Sequence, residues 1–277
     1  MTPLTAAETY LLDFHQRQVG VTSAAFAHLP ASSAAGRWAS SYEVLTSLVP
    51  AVDTPITVLD LACGDGHLLG LLAARRQPDL QLLGVDMSEA ELAAARAALP
   101  ASVRLLPGRG QALDVPDASI DCLVSHMALM LMDDMEQVMR EIRRVLRPGG
   151  QFGTIVGRTF LLGEVNDVFM RVFKPFASDA LPPLRFGDRR AGSEAGWREL
   201  LDAGFADVEF DDIDVPCSPA PDELWAALLD TYDIDRLDDD ARQRLRGAFL
   251  DAVTPLQAGD GTIATGWGLR LVRARAA

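Results

Sequence analysis

Between residues 56 and 157, short apolar runs alternate with stretches whose apolar residues recur every three or four positions. ITVLDLA, LQLLGVD, VRLL, SIDCLVS and QFGTIVG have the length and branched side chains of strands. HLLGLLAARR, SEAELAAARAAL and the segment ending EIRRVLRPGG have helical spacing. Near-continuous apolar strands separated by helices predict a mostly parallel sheet covered on both faces, joined by right-handed crossovers. Local punctuation agrees. Ser88 followed by Glu91 has capping-box spacing and starts a helix directly after Asp86, and Pro148-Gly149-Gly150 stops the helix that carries Ile142, Val145 and Leu146.

Outside this block the rhythm changes. Residues 1–50 are patterned as helices, interrupted at PASSAAGR. Around 161–192, FLLGEVNDVFMRVFKPF is patterned as an amphipathic helix, followed by the proline-rich SDALPPLRFGDRR, which predicts an insertion over the sheet edge. Alternation resumes with GWRELLDAGF, ADVEFDDIDV, a helical stretch from about 222 to 254 and a last strand in GWGLRLVRA. The chain thus divides into an N-terminal helical segment (1–50), a core (51–160), a cap insertion (161–192) and a C-terminal continuation of the core (193–277).

Composition narrows the class. With 277 residues, 49% of them apolar, the chain has material for one large domain, or one with a small cap. A net charge of -14 argues against a nucleic-acid backbone or an anionic membrane as partner. Three widely spaced cysteines form neither a disulfide framework nor a zinc site, and no metal is expected. HMALMLM is too short to cross a bilayer. The first residues lack a basic stretch followed by a long apolar one, so a cytoplasmic protein is expected.

LDLACGDG, at the end of the first strand of this block, carries the chemistry. Ligands of open parallel sheets bind beyond the strands' carboxyl ends, and Gly64 and Gly66 allow a sharp turn close to a ligand. Twenty residues past Gly66, Asp86 ends the next strand, a position suited to accepting hydrogen bonds from ribose hydroxyls. Leu69 stands where a dinucleotide fingerprint has its third glycine, and no Lys-Ser/Thr pair marks a triphosphate loop. Asp60 and Asp65 disfavour a phosphate but tolerate a cation. An adenosine-containing ligand without phosphate fits best.

VLDLACGDG, LLGVDMS, ALDVPDASIDCLVS and EIRRVLRPGG, in this order, resemble the signature motifs of class I S-adenosylmethionine-dependent methyltransferases, most closely the branch acting on quinones and natural products. The resemblance implies an α/β, Rossmann-like sheet of seven strands with helices on both faces, the last strand antiparallel and supplied by GWGLRLVRA. It also implies a mainly helical cap, a lid formed by the N-terminal helices and the insertion, and acceptor-site helices within 193–277. The implied cofactor is S-adenosyl-L-methionine. The implied acceptor is a small aromatic or natural-product molecule of secondary metabolism, with no nucleic-acid or membrane partner, and the chain is expected to be a monomer or homodimer.

Carried over by position, the resemblance makes Asp60, Ala62, Gly64 and Gly66 the first cofactor loop, Asp86 the ribose ligand and Met87 an adenine contact. Relatives often have Gly-Asp-Ala where this chain has Gly108-Arg109-Gly110-Gln111. Adenine recognition then falls to the Gly110 amide or the Gln111 side chain, while Arg109 turns outward or pairs with an acid. Ser125 and His126 are expected to face the methionine part of the cofactor and the acceptor. His126 is the first candidate for orienting or deprotonating the acceptor, with His15 and Tyr10 as alternatives from the lid. Two other readings stay open: a non-methylating or merely cofactor-binding protein on the same fold, and an NAD(P)-dependent oxidoreductase, disfavoured by the missing glycine.

Overall fold

The computed structural model describes residues 3–181 and 183–277, residues 179 and 180 by their backbone alone. The chain begins with α1 (Ala6–Arg17) and α2 (Val21–Phe26), followed by a hairpin of β1 (Ala31–Ser33) and β2 (Gly36–Trp38), then α3 (Ser41–Leu48). Strands and helices then alternate through β3 (Ile56–Leu61), α4 (His67–Ala73), β4 (Leu80–Asp86), α5 (Glu89–Ala98) and β5 (Arg104–Pro107). Next come β6 (Ile120–His126), α6 (Met135–Val145), β7 (Leu146–Thr159), α7 (Glu164–Ala180), α8 (Glu194–Leu201) and β8 (Phe205–Cys217). The chain closes with α9 (Pro221–Leu229), α10 (Tyr232–Asp235), α11 (Asp239–Val253) and β9 (Thr265–Ala276).

Among the described residues one sheet has nine strands in the order β2-β1-β8-β9-β7-β6-β3-β4-β5, two more than expected. The addition is the β1–β2 hairpin, where the sequence suggested only an interruption between helices. Its strands are three residues each, too short and too polar to show a period. Ser33 Oγ pins the hairpin to β8 by donating to Asp211 Oδ2 (2.6 Å). The helical stretch expected from 222 to 254 is three helices, and α6 passes directly into β7, which contains Pro148-Gly149-Gly150.

β3 pairs in parallel with β4 on one side and with β6 on the other. The chain leaves β3 toward β4 and β5 and returns on the opposite side at β6, so β3 flanks a topological switch point. The carboxyl ends of β3, β4 and β6 share one edge there, where such sheets bind ligands.

The chain resolves into two compact units. The first comprises residues 1–158, 186–213 and 269–277, the second 159–185 and 214–268. Leu59, Leu61, Leu123, Phe152, Ile142 and Trp197 belong to the first unit's core, and Trp197 Nε1 donates to the Ala191 carbonyl (2.9 Å). In the second unit α7, α9 and α11 enclose their own core, with Phe169 stacked on Phe173 (5.3 Å) and Phe249 against both Phe169 and Trp225. These aromatic side chains hold helices together. No described helix is long and apolar enough to cross a membrane.

Candidate functional site

The loop after β3 is shaped by left-handed backbone. Ala62 (φ +60°), Gly64 (+53°) and Gly66 (+82°) alternate along it, and Met127 (+55°) follows β6. Two non-glycine residues thus hold unfavourable backbone angles at neighbouring strand ends, the kind of strain that collects at ligand sites. The two glycines serve different needs. A Cβ at Gly66 would lie 2.6 Å from Leu99 Cδ1, so Gly66 lets α4 sit against the end of α5. A Cβ at Gly64 would meet nothing nearer than Glu91 Oε2 at 3.9 Å, so this flank of the loop is open.

Four carboxylates surround the loop, and protein donors engage three of them. Asp86 accepts from the Gly64 amide (2.9 Å) and the Ser88 amide (2.8 Å), tying the turn to the end of β4. Glu91 accepts from His15 Nδ1 (3.0 Å) and the Gly20 amide. Asp65 accepts from Ser23 Oγ and the His67 amide. Asp60, only 2% exposed, has no hydrogen-bond partner for its side chain among the described residues. Burial, followed by the charges of Asp86 and Asp65, holds its carboxyl well above the usual range. Burial also raises Asp86, opposed by its two amide bonds. An uncompensated carboxylate beside three others is a place for a cation.

Ser88 caps α5 as expected by accepting from the Glu91 amide, but the Glu91 carboxylate turns to His15 and Gly20 instead of back to the cap. Arg109 pairs with an acid, as one of the two expected outcomes. Its partner is Glu8 of α1, which accepts from Arg109 Nε (3.1 Å) and Nη2, from Gln111 Nε2 (3.2 Å) and from the Thr5 amide (2.9 Å). Gln111 Nε2 also donates to the Asp133 carbonyl (2.7 Å). Both amide hydrogens of Gln111 are therefore engaged, which leaves Oε1 as its group for a ligand. Gly110 is buried against Met132 and Val138, and Met87 is half-buried beside Asp86.

His126 requires a correction. At the end of β6 it is buried, its ring stacked on Tyr42 (3.8 Å between centroids, 18° between planes) and edge-on to Phe26 (5.6 Å). Its Nε2 shares a hydrogen bond with Ser41 Oγ (2.9 Å). Burial, and next the proximity of His67, lowers its pKa to about 3. Such an imidazole stays neutral and is a poor proton acceptor near pH 7. Ser125 and His126 are adjacent at the end of one strand, where side chains alternate between faces, and His126 Nδ1 is buried without a hydrogen-bond partner among the described residues. Ser125 Oγ is buried without a partner, as is Thr154 Oγ1 opposite it on β7. His15 bridges to Glu91 beside the glycine loop, and Tyr10 packs on Phe186 (5.7 Å) and Phe14 (6.2 Å). His28 is exposed.

Sequence reasoning overlooked Tyr42, Glu91, Ser23 and Glu8. Only Glu91 carried a signal, as the acid of a capping-box pattern. Among the described residues no group of three or more His, Cys, Asp or Glu side chains is arranged to hold a metal.

Residues 59–154 match a family model described as a methyltransferase domain. Over 100 residues, 34% of the chain, the sequence is 37% identical to a demethylmenaquinone methyltransferase of Symbiobacterium thermophilum, covering 40% of that protein. A probable S-adenosylmethionine-dependent methyltransferase of Mycolicibacterium smegmatis is 33% identical over 154 residues, which is 55% of this chain and 52% of that protein. The chain thus spans between two fifths and about half the length of these relatives. Its fold is that of a putative type II methyltransferase from Anaeromyxobacter dehalogenans, with a TM-score of 0.58, 21% identity, and coverage of 84% of this chain and 95% of that one.

Proposed function

From the premise that residues 59–154 belong to the methyltransferase domain family, we propose that this chain transfers the methyl group of S-adenosylmethionine to a small organic acceptor. The observation that carries this reading is Asp60, a buried carboxylate without a protein partner beside an open-flanked glycine turn. A sulfonium amino acid brings cationic charge to such a place, whereas a dinucleotide brings phosphates. When bound, the cofactor supplies a methyl carbon already activated by positive sulfur.

The chain's own residues bind, orient and exclude water. Asp60 receives cationic charge. Asp86, whose oxygens keep lone pairs beyond the two amide bonds, accepts from ribose hydroxyls. Gly64 leaves room for close approach. The Gly110 amide and Gln111 Oε1 are the candidates for the adenine edge, with Met87 against its face. Three ties hold the N-terminal segment over this loop: Ser23 to Asp65, His15 to Glu91, and Glu8 to Arg109. A cover of this kind excludes water and fixes geometry, a contribution worth roughly 7 to 11 kcal/mol where alignment is good. His126 does not take the acceptor's proton, so an acceptor that arrives already ionised, such as a phenolate or an enolate, suits the site. The resemblance to a demethylmenaquinone methyltransferase supports an aromatic acceptor.

Calorimetric titration of the protein with S-adenosylmethionine and with NAD(P)⁺, followed by labelled-methyl transfer to a panel of phenols and hydroxyquinones, tests this. Binding of the sulfonium cofactor and label in a small product are expected. Binding of NAD(P)⁺ in its place would overturn the reading.

A further inference from the structure

Three of the chain's four histidines gather at one junction of the first unit, where α2 and α3 meet the core. His126 closes β6, His67 opens α4, and His28 lies just past the end of α2. Tyr42, on the first turn of α3, touches two of them. Its ring stacks on His126 at 3.8 Å and 18° and meets His67 at 4.7 Å and 68°. Phe26, the last residue of α2, packs edge-on against His126 at 5.6 Å, and Ser41 Oγ shares a 2.9 Å hydrogen bond with its Nε2. His28 is exposed and close enough to His67 to oppose its charge. Imidazole rings thus fasten α2 and α3 to the core.

The fastening suits only a neutral His126. Its Nδ1 is buried without a hydrogen-bond partner among the described residues, and its Nε2 already has Ser41. An imidazolium donates from both nitrogens, so protonation adds a charge and a donor that nothing there accepts. The face of Tyr42 attracts a cation, but this offsets only part of the cost of burying one. From α4, His67 faces the ring and repels it once both are charged. The nearby carboxylates bear on other groups, Asp65 on His67, and Asp65, Asp60 and Glu91 on Tyr42. Burial, and then His67, bring the pKa of His126 down to about 3 from an ordinary 6.5. Its contribution to the closed junction is therefore complete above about pH 6.5 and is lost as pH falls toward 3. Burial lowers His67 in the same sense. Asp60 and Asp86 act in the opposite sense, since burial raises both and acid then favours the buried state.

We propose that this histidine cluster is an acid-sensitive clasp: uptake of a proton by His126 frees α2 and α3 from the core, withdraws Ser23 from Asp65 and uncovers the glycine loop. Near neutral pH the clasp stays shut. It is a property of the junction and holds whatever ligand the loop takes.

Hydrogen exchange on the full chain at about pH 7.5 and about pH 5, corrected for the pH dependence of the exchange chemistry, reads the opening of each element. A ring that regains its ordinary pKa on release makes the opening of α2 and α3 about 30-fold more frequent at the lower pH. β3 and β4 should keep their protection. His126→Asn takes up no proton there, so it should abolish the rise and leave only the opposite response of the two acids. Three results overturn the proposal: unchanged opening of α2 and α3 in the wild type, an equal rise in His126→Asn, or the same rise throughout β3 and β4. The last would mark a general loss of stability in place of a local release. If His126→Asn does not fold, an NMR titration of the wild-type imidazoles decides. His126 should stay neutral until α3 loses its protection, and a His126 that titrates at its ordinary value with α3 still protected would refute the clasp.

Discussion

Asp60→Asn keeps the shape of the side chain at the end of β3 and removes a carboxylate that no protein group neutralises. Two opposite effects follow. In the folded chain, burial and the charges of Asp86 and Asp65 raise the Asp60 carboxyl above its ordinary value. The folded state thus retains a proton that the unfolded chain has already released. Wild-type stability therefore falls as pH rises through that interval and stays at the lower level above it. Asparagine has no such proton, so the variant should be more stable than wild type near neutral pH, by on the order of 1 to 2 kcal/mol. That gain should shrink as pH falls toward the ordinary carboxylate range. Binding should move the other way. Without a charge-assisted hydrogen bond donated to Asp60, worth about 1.5 to 3 kcal/mol, the cationic cofactor should bind roughly 10- to 150-fold more weakly. Wild-type affinity should also decline on acidification as Asp60 takes up its proton, while the variant's stays flat. Urea unfolding and calorimetry at about pH 5 to 8.5 read both effects. A variant that binds as tightly as wild type, or is less stable at neutral pH, would refute the reasoning.

Three further outcomes are expected. Gly66→Ala places a Cβ against Leu99 at a φ of +82° and should cost about 2 to 5 kcal/mol in urea unfolding; a loss under about 1 kcal/mol would show that α4 and α5 can separate cheaply. Glu8→Ala removes the buried carboxylate that accepts from Arg109, Gln111 and the Thr5 amide and should cost about 2 to 4 kcal/mol; Glu8→Gln, which keeps the acceptor, should cost less. His126, with a pKa near 3, is neutral throughout the range in which activity would be assayed. His126→Asn should therefore change single-turnover methyl transfer by a constant factor without altering the shape of its pH profile, and a profile that loses its rising limb would restore the role of base.

The glycine loop and its sheet were legible because their signals are local. LQLLGVD coincides with β4, and ITVLDLA overruns β3 by one residue, since buried parallel strands are uniformly apolar and end at an acid or glycine. The β1–β2 hairpin was not legible, because three-residue strands of Ala, Ser, Gly, Arg and Trp are held by a bond to Asp211 far along the chain. A similar limit applies to the site. The sequence allowed Arg109 an acidic partner, but not which one, since Glu8 lies 101 residues away. His126 was placed correctly at a strand end. Its burial depends on Ser41 and Tyr42, which meet it only in three dimensions. Phe169 and Phe173 of the insertion build the core of the second unit with Phe249 of α11, far along the chain.

Four ties between the first two helices, with the cap of α1, and the rest of the first unit are nested. Ser23 meets Asp65 across 42 residues, His15 meets Glu91 across 76, Glu8 meets Arg109 across 101, and Thr5 bonds Asp133 across 128. During synthesis these partners leave the ribosome in that order, so the segment is secured from its inner end outward, each tie shortening the search for the next. Closing one long loop at once is costly, whereas extending a loop that is already closed adds little. Of these two helices the first to emerge is thus the last to be fastened, and until Asp133 has been made the carboxylates around the glycine turn lack part of their cover.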